Sequence, residues 1–488
     1  MLPMLPLLGF APDLPSSTPG LMVDCVNVVP TEVGFAAGPI GIATPGIAAL
    51  PSAARGGAVI ALTTGARRIF SGTQTRLYEF SGGSWVDVSR GTFYTGSADN
   101  RWSFAQFGNV TLASNDNQAI QASTTAGAFA DVATAPVARI VFAVDNFVMA
   151  LNTSDATFGD QGDRWWCSGI FNHATWTPSV STQANSGRLV SDGGDFTAGL
   201  ALGKQAIAYK ASGMWSGTYV GGGTVWQWDQ VPGDQGAVGP EAVADVGGAH
   251  AFVGEDNIWL FDGTRPRPLG GVEVRQWFYR NLSPSFRYRT IVRYERQSNR
   301  LWIFFPRADS TDGTPDRAIV YHLQANKWGR SDRVIQASLP FVQPGLTIET
   351  LPTVAASIDA MPDIAMDSQF WLQGGRSLSV IDGAGQLLTL TGGGGACSFT
   401  TGDIGDDDIE ACMSMVRLRF LAQPITASCA GQVFSNIGGP ARAGRASILR
   451  DGKFDIRQSG RWHRLTFSMT GSAEFIALAH EARAGGDR

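Results

Sequence analysis

A chain of 488 residues with 44% hydrophobic and 16% charged side chains has enough apolar material to build a core, which excludes full disorder. Its net charge of −5 and isoelectric point near 5.6 exclude tight wrapping of nucleic acid, which requires a net basic surface. No apolar run approaches the roughly 18 residues that a membrane span needs, so no spanning segment is expected.

The opening MLPMLPLLGF has no Lys or Arg ahead of its apolar residues, unlike a secretory signal, and synthesis in the cytoplasm is expected. Proline at 3, 6, 12, 15, 19, 30 and 39 argues against a regular helix or a central strand, because it lacks an N–H and locks φ. Residues 1–40 therefore read as an extended arm, either a disordered tail or a segment lying along a partner subunit.

From residue 41 onward, short apolar stretches alternate at period two between turns of Gly, Asn, Asp and Ser. One phrase recurs as strand, tight turn, strand: LYEFSGGSW from Leu77, IWLFDGTRP from Ile258, VYHLQANKW from Val320, and SVIDGAGQ following Leu378. Its fourth residue is apolar (Phe80, Phe261, Leu323, Ile381) and its sixth is small (Gly82, Gly263, Ala325, Gly383), as a hairpin requires where its last inward side chain precedes the reversal. IAYKASGMW from Ile207 and FDIRQSGRW from Phe454 are looser copies. The copies starting at 258, 320 and 378 lie 62 and 58 residues apart, somewhat more than the roughly 40 to 50 residues of a four-stranded propeller blade. A lone hairpin buries one face and leaves its edges open, and radial stacking covers both. The expected fold class is all-β and propeller-like, and a β-sandwich, which also contains turn-Gly-aromatic phrases, is the alternative. The exception is one short helix over Val272 to Leu282, with Val274, Trp277, Phe278 and Leu282 on one face before Pro284.

Candidate chemistry is sparse. Asp160 and Asp163 beside Trp165 and Trp166 combine carboxylates with aromatic walls, as a site that binds and cleaves sugars does. The preferred reading is that they are turn aspartates before a buried strand. The five histidines, His173, His250, His322, His463 and His480, show no metal-ligand spacing. Five widely spaced cysteines without a Cys-x-x-Cys pair read as free, mostly buried thiols. No phosphate-binding loop or nucleophile elbow is present. No catalytic residue, metal or cofactor is therefore expected.

Charge is unevenly spread. Residues 1–263 carry 11 basic and 21 acidic side chains, whereas 264–333 carry 14 basic and 6 acidic. Within the basic segment Arg287, Arg289, Arg293, Arg296 and Arg300 surround Phe286, Tyr288 and Tyr294. Such a set can track a nucleic-acid backbone. On a strand, Arg287, Arg289 and Arg293 would share one face, which suits a subunit or adaptor contact against an acidic neighbour, and this is the favoured reading. Arg outnumbers Lys by 33 to 4, which a GC-rich genome explains as readily as a need for bidentate cations. The Gly run at 392–395 and the acidic patch Asp403, Asp406, Asp407, Asp408 and Glu410 mark a boundary. The expected domains are an arm over 1–40, a propeller-like domain over 41–395 and a sandwich-like β module over 396–488.

Three stretches resemble the tail nozzle proteins of short-tailed bacteriophages, also called packaged-DNA stabilisation proteins or tail accessory factors. They are GFAPDLPSSTPGLMVDCVNVVPTEVGFAAGP from Gly9 to Pro39, RWWCSGIFNHATWTP from Arg164 to Pro178, and FDIRQSGRWHRLTFSMTG from Phe454 to Gly471. The resemblance implies a propeller-based virion subunit that assembles as a homohexameric ring below the portal and the head-to-tail adaptor ring. Such a ring conducts and retains packaged double-stranded DNA and carries a tail needle, plug or fibre, with no enzymatic activity. A carbohydrate-binding or glycoside-cleaving propeller is the alternative.

Overall fold

The structure, a computed structural model, describes residues 4–43, 48–81, 83–191, 193–342, 357 and 376–484. Gly82 of the first hairpin phrase and Pro3 of the arm lie outside these residues.

Six self-contained four-stranded antiparallel sheets form blades. The first runs from Gly57–Ala61 to Ser84–Asp87, the second from Ser103–Phe107 to Ala130–Asp131, and the third from Val137–Val144 to Asn185–Arg188. The fourth runs from Phe196–Leu202 to Val225–Gln230 and the fifth from Val243–Asp245 to Pro266–Pro268. The sixth takes three strands, Ala337–Val342, Arg376–Ile381 and Leu387–Thr389, and is completed by Ile42–Ala43 from the other end of the propeller segment. Between the fifth and sixth stands a further four-strand meander, Ile291–Glu295 to Lys327–Asp332, which continues into a ten-stranded sheet.

The alternation of each strand decides which neighbour it packs on. In Phe147–Asp155, Phe147, Met149 and Leu151 face the fourth blade, with Phe196, Ala208 and Trp226. Val148 and Ala150 face the second, with Leu112 and Ile120. A strand buried on both faces reads as a continuous apolar run, and radial stacking of sheets produces that burial. Equivalent apolar interfaces join the first blade to the second, the fourth to the fifth, the fifth to the meander, the meander to the sixth blade, and the sixth to the first. The ring is therefore closed. The hairpin phrases from Leu77, Ile207, Ile258, Val320 and Leu378 are all hairpins of this ring. The copy from Phe454 is not, because its Gln458–Gly460 pairs with Ala411–Met413 in the second unit. The helix forms over Arg275–Asn281, burying Val274, Phe278 and Leu282.

The second unit is a sandwich made from both ends of the chain. One sheet carries Leu21–Val26, Cys397–Thr401, Trp462–Thr470, Thr426–Phe434 and Arg442–Ile448. The other carries Val28–Pro30, Phe35–Ala37, Glu474–Ala484 and Ala411–Ala422. Leu465, Phe467 and Met469 point inward at period two, and Phe399 stacks on Phe467 at 4.9 Å within its sheet and on Phe475 of the other at 5.0 Å.

The arm departs from expectation on two counts. It is built into its own chain rather than left as a tail, with Leu7, Phe10, Met22, Val28 and Phe35 at most 2% exposed. It also contains central strands, which fit between its prolines. Leu21–Val26 lies between Pro19 and Pro30, and within Val28–Pro30 it is Val28, not Pro30, that pairs with Arg330.

Candidate functional site

In a propeller the first strand of each blade lies next to the axis, so residues just ahead of those strands gather at one mouth of the ring. Among them are Arg55, Arg101, Glu241, Arg289 and Gln336. Glu241, ahead of the fifth blade, accepts from Arg101 Nε at 2.8 Å and from Arg293 Nη2 at 2.7 Å. Its backbone carbonyl accepts from Val292 N–H at 2.8 Å. Arg101 Nη1 donates to Gln336 O at 3.0 Å, and Gln336 Oε1 accepts from Ala54 N–H at 2.8 Å. The first, second, fifth and sixth blades and the meander are thus tied together around one carboxylate. Burial alone would raise the Glu241 carboxyl, but the Arg101 and Arg293 guanidiniums outweigh it and hold the group below its ordinary value.

Beside this lattice, Arg289 donates to the Asp312 carbonyl and pairs with Asp99, which also accepts from Tyr288 O–H at 2.7 Å. The Tyr288 and Arg289 hydrogen bonds lower the Asp99 carboxyl. Arg55 sits half-buried alongside, its pKa lowered by burial and then by the like charges of Arg101 and Arg289. The arrangement is an ion-pair clasp with one surplus cation. Among the described residues, no cluster of three His, Cys, Asp or Glu side chains is placed to hold a metal.

Of the five arginines singled out from sequence, the structure brings two into this clasp. Arg289 and Arg293 pair with Asp99 and Glu241, while Arg287 pairs with Glu255 at 2.6 Å. Arg300 Nε donates to Pro30 O at 2.7 Å, fixing the arm to the meander, and Arg296 is exposed. The acidic partners all come from residues 1–263, so the opposite charge is supplied by the same chain. Arg287 and Arg289 do not share a strand face with Arg293: Arg287–Arg289 is a single 3-10 turn, with Arg289 buried, and only Arg293 is on a strand. Sequence reasoning missed Glu241 and Arg101, whose partners lie 52 to 235 residues away.

The sugar-site residues do not come together as a platform. Trp165 packs toward the fourth blade and Trp166 toward the second, both buried. Neither aspartate is on a turn, since both belong to the strand Gly159–Cys167: Asp163 is clasped by Arg188 at 2.9 and 2.8 Å, which lowers its carboxyl, and Asp160 is exposed opposite Ser154. Four cysteines are buried and Cys412 is exposed, all as free thiols.

No family model and no curated protein matches the chain. Among solved structures it is similar to YCF48 bound to a D1 peptide, at 13% identity over 70% of this chain and 94% of that one, with a TM-score of 0.36. It is also similar to YCF48 from Cyanidioschyzon merolae, at 12% identity over 52% and 95% with a TM-score of 0.27. A third similarity is to BBS1N in complex with ARL6DN, at 9% over 50% and 72% with a TM-score of 0.29.

Proposed function

We propose that this chain is a non-enzymatic structural subunit of a short-tailed phage tail, assembling into a homohexameric nozzle ring beneath the adaptor. The ring would carry a needle, plug or fibre and pass double-stranded DNA without holding it. Two of the three phrases that suggested the family meet in one sheet, where Leu21–Val26 and Trp462–Thr470 flank Cys397–Thr401. The observation that carries the reading is the exposure of large apolar side chains on the sandwich. Leu421, Ile425 and Ile448 are 54%, 74% and 56% exposed, and Ile448 lies on the edge strand Arg442–Ile448. Large apolar side chains beside an open strand edge are a liability in a single copy and suit a head-to-tail contact that closes into a ring. In this reading the conduit lies between copies and not through one propeller, whose mouth Glu241 crosses from the fifth blade to Arg101 of the second.

The test is electron microscopy of the purified chain, alone and with a head-to-tail adaptor ring, viewed down the axis. A closed ring of six copies on the adaptor is expected. A single copy that ignores the adaptor overturns the reading, as does glycan hydrolysis that is lost in Asp163→Asn.

A further inference from the structure

The mouth of the propeller holds a cavity of about 500 Å³ into which Arg55, Arg101 and Arg289 project between apolar walls from Phe286, Pro315 and Ile335. The charges around it can be paired off. Arg101 and Arg293 share the single carboxylate of Glu241, and Arg289 takes Asp99. The Asp312 carboxylate, also on the wall, accepts from Thr314 N–H, Thr314 O–H and Ser310 O–H. Four guanidiniums against three carboxylates leave one positive charge, and no carboxylate pairs with Arg55 among the described residues. The Nε atoms of Arg55 and Arg289 are both buried without a partner. Both side chains line the cavity, where an anionic acceptor would neutralise the surplus charge, while their two Nε atoms are closed off from it.

We propose that this cavity binds a small organic monocarboxylate, either a free acid or the terminal carboxylate of a peptide. Three observations select that chemistry. The guanidinium fork matches the planar, two-oxygen face of a carboxylate. The surplus is a single charge, which a carboxylate neutralises and a phosphate, at roughly −1.5 to −2 near neutral pH, exceeds. The volume lies within the roughly 300 to 1,000 Å³ of small-ligand pockets, and the Phe286, Pro315 and Ile335 walls suit an apolar body behind the charged group. The proposal is independent of the ring, because every group named belongs to one chain.

The test is isothermal titration of the full chain with benzoate, inorganic phosphate, and one tetrapeptide made with a free and with an amidated C-terminus. Saturable binding of benzoate or of the free-terminus peptide is expected, and which of the two binds identifies the source. Phosphate should bind at least tenfold more weakly, and amidation should abolish peptide binding. Arg55→Gln should weaken carboxylate binding at least tenfold, Arg55→Lys less, and Arg296→Gln not at all. Since burial and the like charges of Arg101 and Arg289 outweigh the attraction of Asp99 and Asp312 at Arg55, Arg55→Gln should melt at or above the wild-type temperature, which separates lost recognition from lost folding. No binding by either carboxylate overturns the proposal. So do phosphate binding more tightly than both, equal binding of the amidated peptide, and wild-type affinity in a folded Arg55→Gln.

Discussion

Glu241 is 16% exposed and stands between two guanidiniums that come from opposite sides of the ring. Nothing in its local sequence, Gly-Pro-Glu-Ala-Val, marks it, since its role depends on partners 140 and 52 residues away. The arginines were legible because five of them cluster within 14 residues, but their partners were not: Asp99, Glu241 and Glu255, three of the acidic residues that looked available for another subunit, are paired within the chain. Glu241→Gln keeps the size and one acceptor but leaves Arg101 and Arg293 short of charge. A cost of about 2 to 4 kcal/mol is expected, below the roughly 3 to 5 kcal/mol for removing one partner of a fully buried ion pair because Glu241 keeps some exposure. Because the folded carboxyl is depressed, its contribution is complete above the ordinary glutamate value of about 4.3 and is lost as pH falls through the lower folded value. Urea unfolding of both proteins should therefore show the gap at pH 7 narrowing below about pH 4. A gap that stays constant between those limits contradicts the ion-pair account.

Elements were most readable where turn chemistry dictates them. The phrase VYHLQANKW reverses at Asn326, whose φ of +52° is the left-handed conformation that Asn tolerates, and Tyr321 O–H donates to its side chain at 2.8 Å. Arg-x-Arg-x-x-x-Arg was misread because a period of two does not distinguish a strand from a 3-10 turn followed by one. The short helix was readable from its apolar face, but its start was not. Val274 at the N-cap makes no side-chain capping bond. The carboxylate of Asp13, 263 residues away on the arm, instead accepts from the N–H groups of Gln276 and Trp277. The arm is thereby positioned with Phe10 edge-on to Trp277 at 4.9 Å. Asp13→Ala should cost about 1 to 2 kcal/mol, as for loss of an N-cap acceptor, and Asp13→Asn clearly less. Chemical denaturation measures both, and equal costs for the two variants would mean that the carboxylate does not act as a cap.

At the scale of the whole molecule, the closed ring followed from the hairpins. The joining of both chain ends into one sandwich did not, because prolines in the arm suggested that it could not supply strands. All five histidines have pKa values lowered by burial. The unfolded chain therefore takes up protons near pH 6.5 that the folded chain refuses, and stability falls as pH drops. The melting temperature should decrease between pH 7.5 and 5.5, and a flat profile would contradict that burial.

The arm gives the sharpest test of how the two units depend on each other. Leu7, Phe10, Met22, Cys25, Val28 and Phe35 share one apolar core with Ile303 and Ile319 of the meander and with Phe399, Phe467 and Phe475 of the sandwich. At roughly 1.5 to 3 kcal/mol for each large apolar side chain buried, removing residues 1–40 takes away about 10 kcal/mol or more, comparable with the whole stability of a typical domain. The propeller keeps its own interfaces, including the closing strand Ile42–Ala43, whereas one sandwich sheet loses Leu21–Val26 and the other loses Val28–Pro30 and Phe35–Ala37. A chain lacking residues 1–40 should therefore melt in two steps with the sandwich first, and a protease should cut near the Gly run at 392–395. Because every arm contact is non-covalent, a 1–40 peptide added back should restore protection, which is physically the same event as receiving the arm of a neighbouring copy. A truncated chain that melts in one step within a few degrees of the intact protein would show that the arm only decorates a sandwich able to fold without it.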